Sequence, residues 1–239
     1  MSGATVKRKL TKLVTVVVAM ALAGVAYLVY WSDRGNAVSV AVSGRATKAE
    51  GATRVRHIAI AQDCRSADAE RAIRSCTIVI ENGETPEISL ANAHVSRGNA
   101  FESQGQPDKA IADFTAAIAV DPSLAGAYSN RGNIYLKLEK LDLALTDYSE
   151  AIRLDPDFFG AYYNRGNLLS RIGANERALT DLTAAVHLAP RYASAYFNRG
   201  LIYMRLGSQA EAIADFRKTL DLDASHYGAA TALSPIYSP

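Results

Sequence analysis

The chain has 239 residues, 49% of them hydrophobic and 21% charged, with 26 basic against 24 acidic residues and a formal net charge of +2. Residues 1–56 hold nine of the basic residues and only Asp33 and Glu50 as acids, which leaves 17 basic and 22 acidic residues beyond, a net −5. Nucleic-acid binding needs a positive surface on the folded part to meet phosphate, and this division of charge removes the basis for it.

In chain order, Lys7, Arg8, Lys9 and Lys12 precede an uncharged, mostly apolar run from Leu13 to Trp31. At about 1.5 Å per residue such a run spans the roughly 30 Å hydrocarbon core. The reading is a basic cytoplasmic N-terminus over 1–12 and a transmembrane anchor over 13–31, with the rest of the chain outside the cytoplasm. Tyr27, Tyr30 and Trp31 suit an aromatic belt at the outer interface. The alternative is a signal peptide cut near Ala21-Leu22-Ala23, which would give a secreted chain. Against that, the apolar run continues through Val25, Tyr27, Leu28, Val29 and Tyr30. Residues 32–56, rich in Gly, Ala, Ser and Arg, read as a flexible linker.

The two cysteines, Cys64 and Cys76, bracket the turn-like Arg65-Ser66-Ala67-Asp68. In an exported chain that arrangement reads as a disulfide. It would restrain the unfolded chain by about 3 kcal/mol. The alternative is a pair of reduced, buried thiols. His57, His94, His187 and His226 show no metal-ligand spacing, so no metal and no cofactor is expected. Ala72, Ile73, Cys76, Val79 and Ile80 reproduce the spacing of Ala110, Ile111, Phe114, Ala117 and Ile118 at an offset of 38 residues. A degenerate capping half-repeat is therefore expected over 57–90.

From there a 34-residue period takes over. Arg97-Gly98 recurs as Arg131-Gly132, Arg165-Gly166 and Arg199-Gly200. Downstream of each come an alanine (Ala110, Ala144, Ala178, Ala212) and a bulky apolar residue (Phe114, Tyr148, Leu182, Phe216). Pro122, Pro156 and Pro190 close the first three units. In the third unit Tyr162, Gly166 and Leu169 fall at helical spacing, as do Ala178, Leu182 and Ala185. Ile172-Gly173-Ala174-Asn175 breaks the pattern between them, and Pro190 ends the second helix. Gly166 is read as the small residue that lets the two helices approach at Ala178. A unit of this kind buries its apolar face only by stacking on its neighbours.

The Tyr-x-x-x-Gly-x-x-Leu/Tyr…Ala-x-x-x-Leu/Phe-x-x-Ala…Pro pattern resembles the tetratricopeptide repeat family. The resemblance implies an all-α fold, a right-handed α-solenoid of helix-turn-helix units, preceded here by the single transmembrane helix. Its units would be 91–124, 125–158, 159–192 and 193–226, with 227–239 as a tail. His94 departs from the Tyr128, Tyr162 and Tyr196 column. In the last unit Ala224 stands where the others have proline, so the second helix is expected to run on toward Leu233. Pro235 and Pro239 limit helix after that, which leaves little to cap the stack.

In stacked hairpins of this family the first helices line the concave face. Asparagine recurs there in two columns, Asn99, Asn133, Asn167 and Asn130, Asn164, Asn198. A side-chain amide both donates and accepts, so it can pair with a peptide backbone of any sequence. The resemblance implies a groove for an extended peptide. Tyr163, Phe197, Leu201 and Met204 make its far end apolar, with Arg171 and Arg205 placed to meet acidic groups. The alternative is that the asparagines are common to the family and the apolar stripe packs on the C-terminal segment. The charged clamp that some family members use for a C-terminal carboxylate is incomplete here, the matching columns holding Val95, Ser129, Tyr163 and Phe197.

Arg97, Arg131, Arg165 and Arg199 are each followed sixteen residues later by Asp113, Asp147, Asp181 and Asp215. Matched opposite charges in four units predict a structural ion-pair row between helices. No phosphate loop, nucleophile elbow or paired catalytic carboxylates occur, and Asp121-Pro122 and Asp155-Pro156 read as helix terminators. The expectation is a non-catalytic, membrane-anchored scaffold outside the cytoplasm that binds a protein or peptide. The alternative is a self-association module pairing through an uncapped solenoid end.

Overall fold

The computed structural model describes residues 27–31, 37–41, 58–82 and 89–237. Tyr27–Trp31 (β1) pairs antiparallel with Ala37–Ala41 (β2), Tyr27 opposite Ala41 and Trp31 opposite Ala37. This corrects two expectations. The last five residues of the proposed membrane span are strand, and part of the proposed linker is ordered against them. The physical reason lies in the sequence: Tyr-Leu-Val-Tyr-Trp and Ala-Val-Ser-Val-Ala are rich in β-branched and aromatic residues, and Ser32-Asp33-Arg34-Gly35-Asn36 between them is turn-forming. Residues 13–26 lie outside the described residues. Among the described residues no helix is long and apolar enough to cross a membrane.

A second unit runs from Ile60 onward. It opens with helical residues 58–64 and α1 (Ala69–Asn82). The N-terminal element thus contributes two helical segments where half a repeat was expected. Four helix pairs follow: α2 (Leu90–Ser103) with α3 (Pro107–Val120), α4 (Ala125–Lys137) with α5 (Leu141–Leu154), α6 (Phe159–Arg171) with α7 (Asn175–Leu188), and α8 (Ala193–Arg205) with α9 (Gln209–Leu222). The chain ends on α10 (Tyr227–Tyr237). Each helix packs on the next in sequence, and each first helix also touches the first helix of the following pair.

Within every pair the turn is a Schellman motif. In the first, Gln106 N–H donates to Phe101 O and Gly105 N–H to Glu102 O, and the other three repeat it at Lys140, Ala174 and Ser208. The motif needs a left-handed residue, supplied by Gly105, Gly173 and Gly207 but in the second unit by Glu139 at φ 59°. A non-glycine residue there is strained by roughly 1 kcal/mol. Glu139 also pairs with Arg171, but both side chains are largely exposed, so that bond offsets little. Glu139→Gly is therefore expected to stabilise the protein by about 0.5 kcal/mol. A urea midpoint unchanged or lowered would refute this.

The helix pairs close on a glycine set against a bulky side chain. A Cβ at Gly98 would lie 2.9 Å from Phe114, at Gly132 3.0 Å from Tyr148, at Gly166 3.0 Å from Leu182 and at Gly200 2.7 Å from Phe216. Gly166 thus faces Leu182 rather than Ala178, which packs with Leu169 and Ile202. Phe114, Tyr148, Leu182 and Phe216 are fully buried. In the N-terminal element the corresponding position is Cys76, bonded to Cys64. Its surroundings are small (Ala61, Val79, Ala93), so a covalent link stands where the later units have a large apolar side chain.

The C-terminal end differs from expectation. The helix α9 stops at Leu222 although Ala224 is no proline, because Asp223 accepts from both the N–H and the hydroxyl of Ser225. Asp121 makes the same pair of bonds with Ser123, and in both cases they hold the carboxyl below its usual pKa. The chain then turns and His226 Nδ1 accepts from Ala229 N–H to start α10. Ala229 and Leu233, one helical turn apart, pack with Ala212 and Phe216. The stack is capped by its own last helix, and the proposed tail is that cap.

Candidate functional site

The ion-pair row runs between the two helices of each unit. Arg97, Arg131, Arg165 and Arg199 each grip the carboxylate sixteen residues on (Asp113, Asp147, Asp181, Asp215) through Nε and Nη2, at distances from 2.7 to 2.9 Å. The aspartates are 4–5% exposed. In three of the units the arginine also reaches back across the unit boundary, to the hydroxyls of Thr77, Thr115 and Ser149. Arg131 and Arg199 lie over two tyrosines each, Tyr128 with Tyr135 and Tyr196 with Tyr203. The bond to the aspartate holds the guanidinium pKa of Arg131, Arg165 and Arg199 above its ordinary value. His94, the residue that departs from the tyrosine column, shares Asp113 at 2.8 Å.

The asparagines pair with one another. Asn130 Nδ2 donates to Asn99 Oδ1 at 2.9 Å, Asn164 to Asn133 at 2.9 Å and Asn198 to Asn167 at 2.8 Å. Every bond runs from a later unit to the one before it. Tyr148 Oη also donates to Asn133 Oδ1, and burial pushes the Tyr148 phenol pKa well up. These bonds fix which end of each amide is left over. Asn99, Asn133 and Asn167 keep a free NH2, and Asn130, Asn164 and Asn198 keep a free carbonyl. The row therefore offers one donor and one acceptor per step, in constant order.

The remaining candidates are less open than the sequence suggests. Arg171 is paired with Glu139, Lys137 with Glu102, and Arg205 donates to the hydroxyl and carbonyl of Ser170. Tyr163 is boxed edge-on by Tyr192, 5.1 Å between centroids, beside Phe159. Its hydroxyl accepts from Asn198, and burial raises its pKa. Phe197 is covered by α10: its ring lies 4.5 Å from that of His226, and a Cβ at Gly228 would come within 2.8 Å of it. Leu201 packs into the same cluster. The apolar far end of the groove is thus filled by the chain itself, while Met204 stays exposed.

Two features escaped the sequence reading. The asparagine columns are 31 residues apart across a boundary, a spacing that carries no meaning until the units are stacked. The hydroxyl bridge had a signal: Thr77, Thr115 and Ser149 follow the same offsets of 38 and 34 as the rest of the repeat. Among the described residues no group of histidine, cysteine or carboxylate side chains could hold a metal ion.

No curated protein sequence matches the chain. Among solved structures it is similar to YrrB, described as a TPR protein with an unusual peptide-binding site, at 23% identity and a TM-score of 0.61, covering 79% of this chain and 97% of that one. It is similar to the MamA protein at 22% identity and a TM-score of 0.60, with the same coverage of 79% and 97%. MamA from Desulfovibrio magneticus RS-1, residue 41 to the end, gives 22% identity and a TM-score of 0.59, covering 72% of this chain and 95% of that one. At these identities the likeness establishes the fold. The family model described as TPR repeat matches residues 98–139 and 132–173, and that described as Tetratricopeptide repeat matches 163–227. Together they take in more than half of the chain, which belongs to the tetratricopeptide repeat family.

Proposed function

We propose that this protein is a non-catalytic scaffold that holds an extended segment of a partner protein along its first-helix face. The observation that carries the reading is the oriented amide row. A peptide backbone presents one N–H and one C=O per residue, and the row supplies a fixed donor and a fixed acceptor per unit to meet them. The printed description of YrrB, a protein of the same fold, as having a peptide-binding site supports it. A position outside the cytoplasm, tethered through residues 13–31, is part of the proposal. The Cys64–Cys76 disulfide supports the oxidising side of a membrane. Self-association was argued from an uncapped C-terminal end, and α10 removes that premise.

The amides that face a ligand also tie the units together, so alanine substitutions would confuse the two roles. Asn99→Asp, Asn133→Asp and Asn167→Asp made together keep each Oδ1 as acceptor for the next unit and delete each free NH2. Peptides selected by display on the unaltered chain are expected to bind this variant at least about tenfold more weakly, the loss for removing one or more hydrogen bonds made to the ligand. Its thermal midpoint should fall by no more than a few degrees. Undiminished binding with the fold intact would place the partner elsewhere.

A further inference from the structure

The end of the first-helix face nearest the disulfide holds a cavity of about 320 Å³. Cys64, Arg65 and Ser66 form one wall, and Ser96, Asn99 and Ser103 the other. Ser96, Asn99 and Ser103 stand at helical spacing on α2 and so share one face. The hydrogen-bonding capacity left over in this cavity is mostly of one kind. Asn99 Oδ1 is taken by Asn130, so its NH2 remains. Ser66 Oγ accepts from Asp68 N–H, so its hydroxyl hydrogen remains. Arg65 makes no ion pair among the described residues, and no carboxylate lines the cavity. A guanidinium, a hydroxyl and an amide NH2 converge without a protein acceptor between them. A planar fork with flanking donors complements a carboxylate. The disulfide fixes the start of the turn that carries Arg65 and Ser66 against α1, which packs on α2.

We propose that this cavity is a carboxylate subsite of the groove, receiving an acidic side chain or the terminal carboxylate of the bound chain; it rests on the groove reading above. The bound segment then has an anchored acidic point at the disulfide-held end and runs from there across Asn133 and Asn167.

The test uses the full chain, 15N-labelled, titrated with three small probes: N-acetylalanine, the N-methylamide of N-acetylaspartic acid, and the neutral N-acetylalanine amide. The first carries only a terminal carboxylate and the second only a side-chain one. Saturable shifts of the 65–69 backbone amides and the Asn99 NH2 are expected with an acid and not with the neutral amide. The tighter of the two acids identifies the source of the carboxylate. Arg65→Gln, at an exposed position that leaves the fold intact by circular dichroism, should weaken acid binding about tenfold or more, as loss of a charge-assisted hydrogen bond does. Equal shifts from the neutral amide, no shifts from either acid, or an unaffected Arg65→Gln variant would each overturn the proposal. The probes are too short to span two units. Failure here with display-selected peptides still bound removes the subsite alone, whereas acid binding without any groove ligand removes the groove reading.

Discussion

Arg165→Ala is expected to destabilise the protein by about 3–5 kcal/mol, the cost of leaving a buried partner charge unpaired. Asp181 is 4% exposed and has both carboxylate oxygens committed to Arg165, at 2.7 and 2.9 Å. With the guanidinium gone, a carboxylate sits between two helices with neither water nor a counter-charge. The bond to Ser149 across the unit boundary and the face of Tyr162 are lost with it. The double variant Arg165→Ala with Asp181→Ala removes the stranded charge, so it should be less damaged than Arg165→Ala alone. A urea-unfolding cycle measures this directly. Strictly additive losses would mean that the two side chains act independently and that the row does not hold the unit together. Because the pair is mostly buried, raising the salt concentration should change the coupling little.

Phe216→Ala should cost about 4 kcal/mol and should be felt beyond its own unit. The ring is fully buried and fills the space that Gly200 leaves open. It also lies 5.8 Å from the ring of Phe197 and forms the floor on which Ala229 and Leu233 dock. Removing it leaves a cavity whose far wall is the capping helix. Hydrogen exchange is expected to accelerate over 227–234 more than over the interior of α6, which is two helices away. Uniform acceleration along the chain would show that the cap is not a separate, locally opening element.

The helix pairs were legible because the period recurs in register. Gly98, Gly132, Gly166 and Gly200 each precede a bulky residue by sixteen, and only a hairpin packs such columns together. The arginine–aspartate partners were legible for the same reason, opposite charges at one spacing in every unit. The open groove end was not. Phe197 and Leu201 look free only if α10 is absent, and Pro235 and Pro239 hid a helix that has no repeat signature of its own. Its start is set by local chemistry, Asp223 on Ser225 and His226 on Ala229, that a search for periodicity passes over. At the other end the alternation in Tyr27–Trp31 was submerged in a longer apolar run, so length was weighed above the period of two.

The amide row has a mechanical side. Extending the stack lengthens the bonds from Asn130 to Asn99, Asn164 to Asn133 and Asn198 to Asn167, since these cross from unit to unit on its exposed side. A segment bridging the same amides would share that load and resist the extension. A solenoid held this way is softer empty than occupied, and a pull on either end would register at the groove as a change in how firmly the partner is held.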